Sequence, residues 1–144
     1  MWLHDIDIVR ATTLREAPNH ALFGSMHAGV GHIHDIRIEN VTVEGPVFRL
    51  FRIGTMYRHG FIPAPGRAGG IGDITFTNVA VAEQPSQTND FLVCQGARAG
   101  ETCPNSFLGP IRFRNLTIAG RPIRSIDDLR ANIDPRYRAA VTVE

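Results

Sequence analysis

The sequence predicts an all-β chain folded as a right-handed parallel β-helix of about four coils, with a short C-terminal capping helix. Two observations lead to this prediction. Apolar residues alternate with polar ones at period two, which is typical of strands. A nine-residue pattern also recurs at intervals of 38 and 37 residues, which indicates stacked units. Residues 1–144 are expected to form one such domain, either a fragment of a longer solenoid or a short solenoid that oligomerises.

Three segments carry the repeat: DIRIENVTV at 35–43, DITFTNVAV at 73–81 and PIRFRNLTI at 110–118. A weaker copy, DIDIVRATT, occupies 5–13. Each strong copy has an asparagine between two short alternating segments. Because asparagine tolerates the left-handed conformation and can bond its own main chain, each copy is expected to bend sharply there. The residues at the bend are Asn40, Asn78 and Asn115.

A further apolar strand is expected after each copy, at 21–23, 47–53 and 91–94. The intervening segments 54–70 and 95–109 are long, and loops of such length are usually functional or disordered. Phenylalanines on the alternating positions are expected to stack in the interior. They are Phe23, Phe48, Phe51, Phe76, Phe91 and Phe113.

The C-terminal segment predicts a cap for one end of the stack. Ser125 precedes Asp128 by three residues, a capping pattern that favours a short helix through about Ala131. Residues 139–143 are expected to be a last strand that covers the open end. At the other end the chain begins inside a repeat. We therefore expect either that the chain is a fragment of a longer solenoid, or that it forms a homo-oligomer in which another chain covers the open N-terminal coil.

Charge and composition limit the classes of function. Fifteen basic and fourteen acidic residues give a net charge of +1, so no overall basic field favours nucleic acid or an anionic membrane. No apolar run approaches the ~20 residues that span a bilayer, and no signal peptide is visible. All the basic residues are arginine, which excludes Schiff-base chemistry on a lysine. Cys94 and Cys103 either form a small disulfide ring or remain free thiols.

Several segments resemble the C-terminal coils of β-helix glycoside hydrolases. These are IVRATTLREAPNHALFGS at 8–25, IRIENVTVEGPVFRLFRI at 36–53 and IAGRPIRSIDD at 118–128. The chain is most similar to family 49, the dextranases and isopullulanases, and more distantly similar to family 28, the polygalacturonases. The resemblance implies a polysaccharide or oligosaccharide partner, of α-glucan or pectin type. It also implies a secreted or periplasmic location.

The same resemblance implies inverting hydrolysis by a cluster of aspartates, which needs an acid and a base with water between them. In the family these aspartates lie in coils upstream of the part matched here, so we expect no catalytic residue in this chain. Asp35 and Asp73 begin equivalent strands and are expected to be structural turn residues. Whether the chain is an enzyme is left open. The alternative is a non-catalytic carbohydrate-binding or self-assembling module.

Six residues are candidates for binding the glycan. Arg52 and His20 occupy places comparable to an arginine and a histidine of the polygalacturonases, although the lysine of the Arg-x-Lys pattern is missing. An arginine fork can hold sugar hydroxyls or a carboxylate; alternatively, Arg52 and its neighbour Arg49 lie on a solvated strand face. The first long loop offers an aromatic ring for sugar stacking beside two polar side chains: Tyr57, Arg58 and His59. Alternatively, Tyr57 anchors the loop by packing.

His32 and His34 are two residues apart, which places both on one face of a strand. Together with His27 they have the donor chemistry of a zinc or nickel site. Stacking of equivalent repeat positions explains them without a metal. No metal and no other cofactor is therefore expected.

Overall fold

The computed structural model describes the backbone of residues 2–8 and all of residues 21–144. Over these residues strands predominate, and the strands of successive repeats pair in parallel. The predicted all-β class is therefore confirmed. Within the described ranges, no helix has the length and apolar character needed to cross a membrane.

Three sheets are built from strands that recur in the same order along the chain. In chain order the strands are β1 (Trp2–Ile8), β2 (Phe23–His27), β3 (Gly31–Ile33), β4 (Ile36–Val43), β5 (Phe51–Met56), β6 (Gly69–Ile71), β7 (Ile74–Val81), β8 (Asn89–Gln95), β9 (Ser106–Leu108), β10 (Ile111–Ile118), β11 (Arg121–Pro122), β12 (Ala131–Ile133) and β13 (Val141–Val143). The first sheet has the order β1-β4-β7-β10, with β13 parallel and β11 antiparallel beside β10. The second sheet is β2-β5-β8-β12, and the third is β3-β6-β9.

The register of the first sheet aligns the sequence repeats residue by residue. Ile36 pairs with Ile74, and Ile74 pairs with Ile111. All three side chains are buried. Alternate residues of a strand face the same side, so equivalent apolar positions of the repeats form continuous columns in the core.

Left-handed bends interrupt each long strand where the sequence predicts them. Asn40, Asn78 and Asn115 have φ of 55°, 54° and 53°. Their side chains form a ladder across the sheet: Asn78 Nδ2 donates to Asn40 Oδ1, and Asn115 Nδ2 donates to Asn78 Oδ1, each over 2.9 Å. Asp35 and Asp73 also have positive φ, of 56° and 49°. Their assignment as turn residues is confirmed.

We expect Asn78→Ala to lower the free energy of unfolding by about 1–2 kcal/mol, because alanine resists the left-handed backbone and removes two ladder bonds. Asn78→Gly should cost less, since glycine accepts the conformation and only the hydrogen bonds are lost. Urea titration of both variants measures the difference. Equal stability of the two variants would contradict the contribution assigned to backbone strain.

Phenylalanine rings occupy the centre of the core, as predicted. The fully buried ones are Phe51, Phe76, Phe91 and Phe113. The ring centroid of Phe51 lies 4.9 Å from that of Phe76 and 4.8 Å from that of Phe113. Phe23 packs against Phe51 with its centroid 5.5 Å away. Phe48 differs from the expectation: it lies in the bend before β5 and is only half-buried.

The third sheet was not predicted as a sheet. A strand was expected around His32, where β3 lies, but β6 and β9 fall largely in segments expected to be loops. In this sheet His32, Gly70 and Phe107 pair across β3, β6 and β9. A Cβ on Gly70 would lie 2.6 Å from the backbone oxygen of Phe107, so the middle strand requires glycine. Since the glycine leaves room, the rings of His32 and Phe107 meet across it with centroids 5.0 Å apart.

The predicted C-terminal helix is shorter than expected. Ser125 and Asp128 form the capping pair, with Oγ and Oδ2 2.9 Å apart. Hydrogen bonds from the Ser125 hydroxyl and from backbone amides hold the pKa of the Asp128 carboxyl below its usual value. The helix is a short 3-10 helix, Asp127–Leu129, and it ends at Leu129 because Arg130 takes a left-handed φ of 48°. The expected extension through residue 131 is therefore wrong: β12 begins at that residue and joins the second sheet.

The last strand also begins later than expected, at Val141 rather than at residue 139. A second 3-10 helix, Pro135–Ala140, occupies the preceding residues. Proline at the start of this helix is pre-set for the turn, and the Asp134 side chain accepts the amide of Arg136. The hydrogen-bonded Arg136 guanidinium lowers the pKa of the Asp134 carboxyl.

Candidate functional site

The outer face of the second sheet carries a row of polar side chains. Phe51 and Ile53 of β5 are buried, so Arg52 between them faces outward. Arg52 pairs in register with Asp90 of β8, which pairs with Asn132 of β12. We call Arg52, Asp90 and Asn132 the polar row. It brings a cation, a carboxylate and an amide onto one face, from three different repeats.

Asp90 is held by groups on both of its oxygens. Arg49 Nη1 lies 2.7 Å from Asp90 Oδ2, and Asn132 Nδ2 donates to Asp90 Oδ1 over 2.9 Å. The side chains of Arg49 and Asp90 are only 12% and 10% exposed. This carboxylate is therefore neutralised by a mostly buried ion pair, and it has a structural partner at each oxygen.

Gln95 connects the polar row to the first long loop. Arg52 Nε donates to Gln95 Oε1 over 3.0 Å, and the amide of Tyr57 donates to the backbone oxygen of Gln95 over 2.8 Å. The Gln95 side chain also donates to the backbone oxygen of Leu92, 3.4 Å away. One residue at the end of β8 thus fixes both an arginine of the row and the start of the loop.

The loop after β5 presents an aromatic ring to solvent. Phe61 is 53% exposed, and the guanidinium carbon of Arg58 lies 4.9 Å from its ring centroid. A turn bond from the Phe61 amide to the Arg58 oxygen, 2.9 Å long, sets this arrangement. Tyr57 is half-buried, whereas Arg58 and His59 are exposed. The exposed aromatic ring of this loop is therefore Phe61, with Arg58 over it, whereas the ring of Tyr57 is half-buried.

The second loop is closed by a disulfide between Cys94 and Cys103, which decides between the two alternatives left open by the sequence. The amide of Cys94 donates to Thr55 Oγ1 over 3.0 Å. Asn105 Nδ2 donates to the backbone oxygen of Pro63 over 3.0 Å, so this loop is also bonded to the first one. Both loops are therefore fixed beside Gln95.

We expect replacement of both cysteines by serine to lower the free energy of unfolding by about 2 kcal/mol, because the open chain gains loop entropy when unfolded. Differential scanning calorimetry of this variant measures the loss. Wild-type protein treated with a reductant should show the same lowering of the melting temperature. No shift in either sample would contradict a stabilising disulfide.

The structure brings together some of the residues predicted to bind a glycan. Arg52 and Tyr57 meet at Gln95, and Arg49 lies next to the row through Asp90. His20 lies outside the described residues. The sequence did not single out Asp90, Gln95 or Phe61. A usable signal existed for Asp90, which directly precedes the apolar strand residues of β8.

Carboxylates and histidines in the described ranges form no further centre on this face. Asp90 is the only carboxylate within the described strands of the second sheet. The rings of His32 and His34 lie 4.8 Å apart by their centroids, and His34 Nδ1 contacts Asp35 Oδ2 at 2.6 Å. In the part of the chain that the structure describes, no group of three or more potential metal ligands occurs.

Inverting hydrolysis needs two carboxyl groups on either side of a water. The second sheet offers one in its described strands, and that one is engaged by Arg49 and Asn132. Comparison of the chain with protein-family models, curated proteins and solved structures finds no match.

Proposed function

We propose that the chain is part of a right-handed parallel β-helix of the polysaccharide-hydrolase type and binds a glycan on the outer face of its second sheet. The order of strands supports the fold, since each of the first three repeats adds one parallel strand to each of the three sheets, and the last repeat adds one to the first sheet and one to the second. Parallel crossover connections are right-handed in nearly all proteins. The resemblance to families 49 and 28 supports the class of ligand, an α-glucan or a pectin-type polymer.

The observation that carries the binding proposal is the link through Gln95 between Arg52 and the loop with Phe61. A sugar ring presents polar hydroxyls at its edge and C–H groups on its faces. The arginine fork suits the hydroxyls, and an exposed aromatic ring suits the faces. Gln95 bonds to both the arginine and the start of the loop, so it fixes the position of Arg52 relative to the start of the loop that carries Phe61.

The chain on its own is proposed to bind without cleaving. A catalytic acid or base needs a carboxyl group free to exchange a proton with substrate or water. Both carboxylate oxygens of Asp90 contact protein side chains, and Asp90 is nearly buried. The described face would therefore supply binding subsites, and in a longer protein the catalytic aspartates would come from preceding coils.

Affinity electrophoresis in gels containing dextran, pullulan or polygalacturonate tests this function. We expect at least one polymer to retard the protein, and Phe61→Ala to weaken that binding about fivefold to tenfold, as lost ring contacts of ~1 kcal/mol require. Arg58→Gln should also weaken it. Arg67→Gln is the matched control, an exposed arginine of the same loop, and should leave binding unchanged.

Three outcomes of that experiment would contradict the proposal. Absence of retardation by all three polymers would exclude glycan binding of the proposed kind. Equal effects of Arg58→Gln and Arg67→Gln would show that only net charge matters. Release of reducing sugar by the purified chain would overturn the non-catalytic reading and make it an enzyme that cleaves O-glycosyl bonds.

Self-association is a second candidate function, favoured by the edge of the first sheet. Strand β1 pairs with β4 along one edge, and no described strand pairs with its other edge. An unpaired strand edge is a template for a second chain. We expect a closed dimer or trimer through this end in sedimentation velocity. A monodisperse monomer over a wide concentration range would contradict the homo-oligomer.

A further inference from the structure

The outer face of the first sheet carries a second polar surface, separate from the polar row. A shallow groove of about 280 Å³ runs across the long strands β4, β7 and β10. We call it the arginine groove. Its lining residues are Arg37, Glu39, Thr75, Thr77, Arg112 and Arg114.

The register arranges these six residues in two rows of different charge. The first row is Arg37, Thr75 and Arg112, with the threonine between the two arginines. The second row, one alternation further along the strands, has a glutamate, a threonine and an arginine, and is formally neutral. Positive charge is thus concentrated along the first row.

The two arginines of the first row differ from the arginine of the second in their partners. Arg114 Nε lies 2.7 Å from Glu144 Oε2, so its charge is compensated by the carboxylate. Neither Arg37 nor Arg112 forms an ion pair with any residue in the described ranges. Two strand spacings separate them, roughly 10 Å at the usual distance between neighbouring strands.

We propose that the arginine groove binds an acidic polysaccharide, with Arg37 and Arg112 each holding a carboxylate or sulfate group and Thr75 bonding sugar hydroxyls between them. Guanidinium forks form paired, charge-assisted hydrogen bonds to planar or tetrahedral anions. The two arginines lie in one row with Thr75 between them. A polymer with regularly spaced anions that lies along the row can engage both.

A sugar polymer fits this face better than a nucleic acid. Proteins that bind single strands place aromatic side chains under the bases, and the described lining of this groove has none. The chain also lacks the strong positive charge that drives binding to a phosphate backbone. Hydroxyl-bearing threonines beside the arginines suit a ligand rich in hydroxyl groups. This site lies on another sheet from the proposed glycan face and does not depend on it.

The test compares the full chain with Arg37→Gln/Arg112→Gln in affinity electrophoresis at low salt. Heparin presents sulfate and carboxylate groups, polygalacturonate presents carboxylates only, and dextran is the neutral polymer. We expect the wild type to bind at least one acidic polymer, and the double variant to bind it about tenfold more weakly, because two charge-assisted contacts are lost. The acidic polymer whose binding is weakened more by the double substitution carries the anion that the groove prefers.

A charge-matched control separates the groove from net charge. Arg67→Gln/Arg124→Gln removes two exposed arginines elsewhere and should change acidic-polymer binding by less than about twofold. Arg37, Arg67 and Arg124 are exposed and Arg112 is half-buried, and far-UV circular dichroism checks that each variant folds. Thr75→Val, at a half-buried position, should weaken binding while leaving the arginines in place.

Each of the remaining outcomes overturns the proposal. Equal losses in the two double variants would show a general charge effect. Unchanged acidic-polymer binding in Arg37→Gln/Arg112→Gln would show that the groove is not the site. An oligothymidine that binds the wild type more tightly than either acidic polymer, and loses that binding in the double variant, would assign the groove to nucleic acid. The Phe61→Ala variant, altered in the loop after β5, distinguishes failure here from failure of the proposed glycan face.

Discussion

Replacing Asp90 by alanine should lower the free energy of unfolding by about 3–5 kcal/mol, because the change leaves a nearly buried guanidinium without its counter-ion. Arg49 is 12% exposed and keeps no other ion pair within the described residues once this carboxylate is gone. Asn132 would also lose the acceptor of one of its hydrogen bonds. Urea denaturation followed by circular dichroism measures the loss.

Two further variants show whether the ion pair or the burial is responsible. Glu83→Ala removes an exposed carboxylate and should change stability by less than about 0.5 kcal/mol. The double variant Arg49→Met/Asp90→Leu removes both charges and should recover much of the lost stability, since a matched apolar pair avoids the desolvation cost. A double variant as unstable as Asp90→Ala would contradict the explanation by an unpaired charge.

Phe51→Ala should lower the free energy of unfolding by about 4 kcal/mol, the cost typical of removing a large ring from a packed core. The Phe51 ring is fully buried and lies within 6.2 Å, centroid to centroid, of four other phenylalanines. It joins strands of the first and second sheets, so the cavity would lie between them. Thermal and urea unfolding measure the effect.

The matched control for Phe51 is the exposed ring of the first long loop. Phe61→Ala removes the same side chain from a position 53% exposed and should cost less than about 0.5 kcal/mol. The same variant is expected to weaken glycan binding, so its stability and its affinity should change independently. Similar stability losses for the two variants would contradict the assignment of Phe51 to the core.

The features that the sequence predicted correctly are those imposed by local backbone geometry and repeated spacing. Asn40 and its two equivalents need a left-handed conformation that few residues accept, so their recurrence was informative. The same holds for Asp35 and Asp73. Alternation then placed the phenylalanines of the core, because period two fixes which face each residue takes.

Features that depend on contacts between repeats were not predicted. The strands of the third sheet are three residues long and contain glycine, serine and histidine, so they lack the usual strand composition. They do begin at the same repeat interval as the asparagines, and that regularity would have revealed them. The C-terminal helix was predicted too long, because pairing of β12 with the second sheet outweighed a capping preference worth about 1 kcal/mol.

The candidate site was predicted in part for similar reasons. Arg52 and the loop from Tyr57 were identified by residue type, and both bond to Gln95. Their common partner Gln95 comes from the next repeat, and so does Asp90, the counter-ion of Arg49. A single sequence gives no sign of which distant polar residue will complete a hydrogen bond. Such partners emerge only when the repeats are stacked.

The asparagine ladder has a consequence for how this chain tolerates changes of length. The two ladder bonds are equivalent, because each joins an asparagine amide to the amide at the same position of the neighbouring repeat. Duplication or deletion of one complete repeat would leave the remaining rungs intact. An insertion of one residue within a copy would move every later side chain of that strand to the opposite face of the sheet. Changes in the length of this chain therefore preserve the ladder only when they add or remove whole repeats.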